Sequence, residues 1–467
     1  MRAAAVSAAV AFAAFLQGCA LDPPIRVATG HVAHVLCAET FVAGRDPDVV
    51  FSDYIARMPV LDRLAPRLRY AVDRKEETVT ASLAGRFSMR AAYAPGRGCT
   101  IVHGPGRPAA IRVDEAAGFA PDPLAAPAAP VAGDPRLQAA IARAVDEPGG
   151  SIYLDAKAVV VVHDGRIVAE RYAPGYGPMT PMLSWSVAKS PMSALVGVLV
   201  RQGRLRLDGP APVAAWADPA DPHHAITVEQ LVRQTSGQPF GSSNSGFDRS
   251  TQMQFLHADT AAFAEAAPFP DRPGARWSYT DANYAIVSQI VRDQTGGSPE
   301  AVARFARREL FGPLGMTTMT MEFDEAGTPM GATYMMASAR DWARFGWLYA
   351  NDGVAAGRRI LPQGWVDWSA AHTPQSGASY AAGFWTNRSD DVNARRRKAA
   401  GAPPDSFFAD GNFDQFILVS PKQKLVIAWF GFSQDPQQNV GLARISRLAG
   451  EVLAILGSAA PAPEART

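Results

Sequence analysis

The stretch Leu183-Ser184-Trp185-Ser186-Val187-Ala188-Lys189-Ser190 decides the reading of this chain, because it holds the one Ser-x-x-Lys in the sequence. On a helix, residues three apart share a face, so the Ser186 hydroxyl and the Lys189 amine can meet across one turn. A neutral amine so placed can take the hydroxyl proton as the oxygen attacks a carbonyl. Burial disfavours the charged form of an amine and pushes it toward that state. Met192 to Val200 is an apolar run of helical character, so the pair is expected at the start of a buried helix. Backbone N–H groups there point at a developing anion. Pro191 fits only in the first turns of such a helix, where its missing N–H would be unpaired anyway. A pattern of two fixed residues arises by chance about once in a chain this long, so the surrounding sequence has to carry weight.

Working outward, the long segment 134–457 reads as α+β. A helix is predicted over Pro135 to Val145, with Asp134 as its N-cap and Pro135 at its first position. A hairpin follows, Ala158 to His163 and Arg166 to Tyr172, joined by Asp164-Gly165. After a helical, loop-rich middle come two buried strands, Phe416 to Val419 and Leu425 to Phe430. An amphipathic helix, Val440 to Leu456, closes the segment with Ile445, Leu448, Val452 and Ile455 on one side. Terminal helices can cover one face of an antiparallel sheet, with the helical insert on the other.

Several further stretches match one family in order. The segment around Ser186 and Lys189 resembles the first motif of the β-lactamase and penicillin-binding superfamily. Ile226 to Gly237, ending Gln234-Thr235-Ser236-Gly237, is similar to its helix-to-loop Thr-Ser-Gly segment. Pro273-Gly274-Ala275-Arg276-Trp277-Ser278-Tyr279-Thr280-Asp281 resembles its Tyr-x-Asn element, with Asp281 in the Asn place. Ala337 to Gly346, followed by Gly357 to Pro362, resembles the branch of 6-aminohexanoate-dimer hydrolases and related esterases. The resemblance covers most of 134–457 and implies a β-lactamase/transpeptidase-like fold with a helical insert.

It also implies roles. Ser186 would be the nucleophile, Lys189 its base, and Tyr279 a relay of a proton to the leaving group. Asp281 would orient Lys189 and substrate, and its charge would favour the ammonium form. Ala409-Asp410-Gly411-Asn412-Phe413-Asp414-Gln415 is similar to the branch's Gly-x-x-Gly-Gln motif at Gly411 and Gln415, with Asp414 in place of the second Gly. By resemblance, the N–H groups of Ser186 and Asn412 would form the oxyanion hole. Trp185, Trp277 and Phe413 would line the acyl site. No metal or organic cofactor is needed. His223-His224 lacks a partner at ligand spacing. Arg395-Arg396-Arg397-Lys398 is expected in a loop that could meet an anionic group. Gly241 to Ser245 misses the nucleophile elbow, which needs Gly at its end.

The N-terminus reads as a targeting signal: Arg2, an apolar stretch from Ala3 to Leu16, then Leu16-Gln17-Gly18-Cys19. That ending resembles a bacterial lipoprotein box, which implies lipid on Cys19, export, and anchorage at the outer membrane facing the periplasm. The chain has three cysteines, so removing Cys19 leaves Cys37 and Cys99 to pair in an oxidising compartment. Residues 29–112 read as a small separate module, with a hairpin of Thr78 to Leu83 and Arg86 to Tyr93. Residues 113–133, rich in Ala and Pro, read as a semi-stiff linker, and 458–467 as a disordered tail. A net charge of +1 with 19% charged residues gives no footprint for nucleic acid. The expected activity is cleavage of a small amide or ester through an acyl-enzyme. The rivals are a β-lactamase, a D-Ala-D-Ala carboxypeptidase, and a lipoprotein that keeps the fold only to bind an envelope partner.

Overall fold

The computed structural model describes residues 21–112, 122–147, 153–241, 245–268, 271–435 and 439–458. The signal segment with Cys19, the first half of the linker and the tail beyond Ser458 lie outside these. The described chain opens with helix α1 (21–37). Short helices α2 (Pro47–Asp53) and α3 (Leu61–Leu64) follow. Then comes an antiparallel meander, β1 (Leu68–Asp73), β2 (Thr78–Leu83), β3 (Arg86–Ala94) and β4 (Gly98–Val102). The predicted hairpin around Gly85 is β2–β3. Cys37, at the end of α1, is disulfide-bonded to Cys99 on β4.

The module is not separate. Its buried face, with Val32, Leu36, Val79 and Ala91, forms one apolar cluster with Leu183, Trp185, Met336 and Phe432 of the larger domain. The fraction of surface a domain buries falls with its size, and the shared cluster adds to what the module buries by itself.

The larger domain begins with α4 (Pro135–Asp146), capped by Asp134 as predicted, and the hairpin β5 (Ala156–His163) and β6 (Arg166–Tyr172). Strand β7 (Met182–Leu183) leads into α5 (Lys189–Arg201). The insert contributes α6 (Val228–Val232), α7 (Arg249–Leu256), α8 (Thr260–Glu265), α9 (Asp281–Gln294) and α10 (Pro299–Ala306). Strand β9 (Met335–Ala337) pairs with β7 on one side and with β8 (Thr320–Met321) on the other, and runs into α11 (Ala339–Ala350). A ribbon of β10 (Val354–Ala355) and β11 (Arg358–Arg359), then α12 (Trp365–Ala370), lead to β12 (Trp385–Thr386) and α13 (Val392–Ala399). The chain finishes with β13 (Phe407–Gly411), β14 (Gln415–Ser420), β15 (Leu425–Gly431) and α14 (Asn439–Gly457).

Six antiparallel strands form the main sheet in the order β12-β13-β14-β15-β5-β6. Side chains alternate across it. Val159, Val161, Leu418, Ile427 and Trp429 pack under α4 and α14, against Leu137, Ile141, Ile445 and Leu448. Val160, Val162, Ile417, Val426 and Phe430 face the insert and α11. Gly346 lets α11 lie close to the sheet, since a Cβ there would stand 2.5 Å from Val426. This is the α+β order expected, with both faces of the sheet covered.

The linker is stiffer than its composition suggested. Leu124 is buried, and Asp122 holds the Arg344 guanidinium through both carboxylate oxygens, at 2.8 and 2.5 Å. Arg340 on α11 donates to the carbonyls of Pro127 and Ala129 while making two bonds to Glu170 on β6. Glu170 also accepts from the Val131 amide at 2.6 Å. Both partners of this pair are almost wholly buried, so removing one strands the other's charge. Arg340→Met is therefore expected to cost about 3–5 kcal/mol. Urea melts of the two proteins check this, and a loss below about 1 kcal/mol, the worth of an exposed pair, would show that the clamp adds nothing. Among the described residues no helix is long and apolar enough to cross a membrane.

Candidate active site

Ser186 lies not in the α-helix but in a 3-10 turn, Trp185–Ala188, that feeds into α5 at Lys189. A 3-10 turn repeats every three residues, so side chains at i and i+3 eclipse. The Lys189 ammonium accordingly donates to Ser186 Oγ at 2.9 Å. It also donates to Asp281 Oδ1 at 2.6 Å and to the Ala332 carbonyl at 2.7 Å. Its three donor directions are all used, and its side chain is 2% exposed. Pro191 sits in the first turn of α5, where no intrahelical partner awaits its nitrogen.

Asp281 opens α9, capped by Thr280, and its second oxygen accepts from Gln254 Nε2 at 2.5 Å. Tyr279 lies beside the pair, with Lys189 Nζ 4.9 Å from its ring centre. Burial, with the charges of Asp281 and Asp410, holds the Tyr279 phenol well above its ordinary range, against the pull of a hydrogen bond with Ser186. It is neutral at any working pH and can donate a proton but not serve as the resting base. The segment carrying it is fixed by Gln234, whose backbone holds a left-handed φ of 63°. The Gln234 carbonyl accepts from the Ser278 amide at 2.9 Å. Its side-chain oxygen accepts from Thr280 N at 3.2 Å and Asn283 Nδ2 at 2.7 Å.

The end of β13 presses on the nucleophile turn. A Cβ on Gly411 would stand 2.4 Å from the Ser184 carbonyl and 3.1 Å from the Ser186 nitrogen. Only glycine allows this approach, and it brings Asn412, partly exposed, to the edge of the site. Phe413 and Asp414 turn the chain back into β14 with left-handed φ values of 66° and 64°.

Three expectations need correction. Trp185 does not line an acyl site. It is 4% exposed and faces the N-terminal module, between His31, Tyr334 and Phe413. Gln415 is fully buried and bonds the backbone of Gly431 and Phe413, bracing the turn rather than meeting substrate. The basic run 395–398 is helical, part of α13, not a loop over the site. There Arg397 is buried on the Phe408 ring and bonded to Asn387 and Thr386, and burial lowers its pKa to about 10. Asp414 is also an internal brace. It packs on Gly441 in the first turn of α14, and burial raises its carboxyl to about 7.

Trp277 stands in an aromatic wall with Tyr279, Tyr380 and Trp385. Phe413 is partly exposed and leans on Trp185 and Tyr54. Gln254, Ala332, Tyr380 and Trp385 were not anticipated. No motif marks the first two, and only the aromatic density of 380–385 hinted at the others. His223 and His224 bond Asp221 and nearby carbonyls, and among the described residues no group of His, Cys, Asp and Glu could hold a metal.

A family model described as Beta-lactamase matches residues 137–451. A relative described as 6-aminohexanoate-dimer hydrolase, from Paenarthrobacter ureafaciens, is 28% identical over 293 residues, 60% of this chain and 73% of that protein. Among solved structures, a penicillin-binding protein homologue from Caulobacter crescentus superimposes with a TM-score of 0.52 at 17% identity, covering 69% of this chain and 98% of that one. A family VIII carboxylesterase gives 0.51 at 14% identity, with 69% and 98% covered. Both share the fold of the larger domain. The module of residues 21–112 falls outside the family match.

Proposed function

The chain belongs to the Beta-lactamase family of hydrolases, and from that premise we propose that it cleaves small amides or esters through an acyl-enzyme on Ser186. The observation that carries this reading is Lys189 Nζ at 2.9 Å from Ser186 Oγ, with Asp281 in contact behind it. As an ammonium, Lys189 cannot accept a proton. It becomes a base by passing one to Asp281 Oδ1, the anionic acceptor 2.6 Å away. The neutral amine then takes the Ser186 proton while Oγ bonds the acyl carbon. Amide groups of Ser186 and Asn412 receive the negative charge on the carbonyl oxygen. Collapse breaks the bond to the leaving group, which takes a proton relayed through Tyr279, and water releases the acid in a second addition. The likeness to 6-aminohexanoate-dimer hydrolase supports an amide or ester over a lactam as substrate.

The charge pattern supports the same choice. Asp410, one residue before Gly411 on β13, acts electrostatically on Tyr279. The carboxylate of a β-lactam drug in that position would meet a like charge, worth about 1–4 kcal/mol depending on local dielectric. Arg397 offsets this in part, since it interacts electrostatically with Asp410. Nitrocefin and p-nitrophenyl butyrate, assayed on one preparation, are expected to differ in kcat/KM by about tenfold or more in favour of the ester. Parity, or a preference for nitrocefin, would turn the reading to a β-lactamase. We further propose that the protein is exported and anchored at the outer membrane through lipid on Cys19. Mass spectrometry of the membrane fraction should find acyl chains on a mature N-terminal Cys19, and an N-terminus downstream of it would refute the anchor.

A further inference from the structure

The N-terminal module lies outside the family match, yet one face of α1 touches three supports of the catalytic centre. His31 stacks on Trp185, the residue before Ser186, with ring centres 5.4 Å apart and planes 18° apart. His34, one turn on, stacks on Tyr334 at 3.8 Å and bonds Glu322 at 2.7 Å. Tyr334 follows closely on Ala332, whose carbonyl takes a proton of Lys189. Gly30 brings α1 against α7, where a Cβ would stand 3.1 Å from Phe255. Phe255 neighbours Gln254, the partner of Asp281. Ser186, Ala332 that bonds Lys189, and Gln254 that bonds Asp281 are thus each one or two residues from a contact with the same helix.

The contact at Trp185 has an energetic reason. Trp185 holds a left-handed φ of 47°, which an aromatic residue adopts only when its surroundings over-determine it. Those surroundings are His31, Tyr334 and Phe413. The direction of the Ser186 amide and hydroxyl follows from that backbone setting. We propose that α1 is a positioning element of the active site, with His31 as the aromatic plate that holds Trp185, and through it Ser186, in place for acyl transfer. The inference rests on the serine-hydrolase reading above. His31 works as a ring and not as a charge. Burial, with His34 adding to it, lowers its pKa to about 3, and its Nε2 has no hydrogen-bond partner. Phenylalanine should therefore replace it, while alanine should not.

The test uses the full mature chain and three proteins: wild type, His31→Ala and His31→Phe. The readouts are kcat and KM on p-nitrophenyl butyrate, and the rate at which a fluorophosphonate labels Ser186. His31→Ala is expected to lose on the order of 10- to 100-fold in kcat and in labelling rate, with KM nearly unchanged. His31→Phe is expected to stay within about threefold of wild type on both. If His31→Ala lacks a cooperative melt, His31→Leu takes its place, filling the space without a flat face, with the same loss expected. Equal labelling of wild type and the alanine or leucine variant would overturn this inference alone, as would equal impairment of His31→Phe. A wild type that neither turns over the ester nor labels would overturn the serine-hydrolase reading and this inference together.

Discussion

Ser186→Ala is expected to reduce hydrolysis of p-nitrophenyl butyrate by about a thousandfold to a millionfold, with an unchanged melting temperature. The size follows from the kind of step removed. Losing a covalent nucleophile leaves only binding and oxyanion stabilisation to act on the reaction. The stability forecast follows from the site. Ser186 is partly exposed; it is bonded to Lys189, which keeps Asp281 and Ala332 as partners, and to Tyr279. A variant with near wild-type turnover would mean that some other residue attacks the carbonyl.

Lys189→Ala is expected to cost about 10²- to 10⁴-fold in kcat, the range for removing a general base. The substitution has a second effect that must be separated from the first. Asp281 would keep Gln254 but lose its cation, and a carboxylate left uncompensated in a half-buried site destabilises the fold. Lys189→Ala combined with Asp281→Asn removes that charge. The double variant should recover stability in a thermal melt while remaining as inactive as the single one. Recovery of activity in the double variant would show that Lys189 acts only by neutralising Asp281, and that proton transfer from Ser186 takes another route.

Much of the architecture was legible from local pattern. The six elements read from sequence, in the segments Pro135 to Val145, Ala158 to Tyr172, Phe416 to Phe430 and Val440 to Leu456, all appear within one or two residues of their expected ends. Helix and strand periods are written in neighbouring residues, so a single chain suffices to read them. Spacing likewise placed Lys189 on Ser186, because three residues apart means one turn apart whether the turn is α or 3-10. The Cys37–Cys99 pairing followed from counting once Cys19 was assigned to the export signal and the compartment taken as oxidising.

What the sequence could not decide is which way a side chain faces once remote elements pack against it. Trp185 flanks the nucleophile in the chain, and that alone suggested an acyl-site wall. Its left-handed backbone turns the indole toward His31, a residue 154 positions earlier that no motif connects to it. Gln254 reaches Asp281 only because α7 is laid across the start of α9, and Ala332 reaches Lys189 only because β9 pairs with β7. The basic run at 395–398 reads as a loop, yet it lies in helix α13, which turns Arg397 inward onto Phe408. The sequence by itself determined the framing elements of the larger domain, the Ser186–Lys189 pair and the family. The tertiary structure decided the company that pair keeps, because packing brings together groups whose separation along the chain leaves no periodic trace.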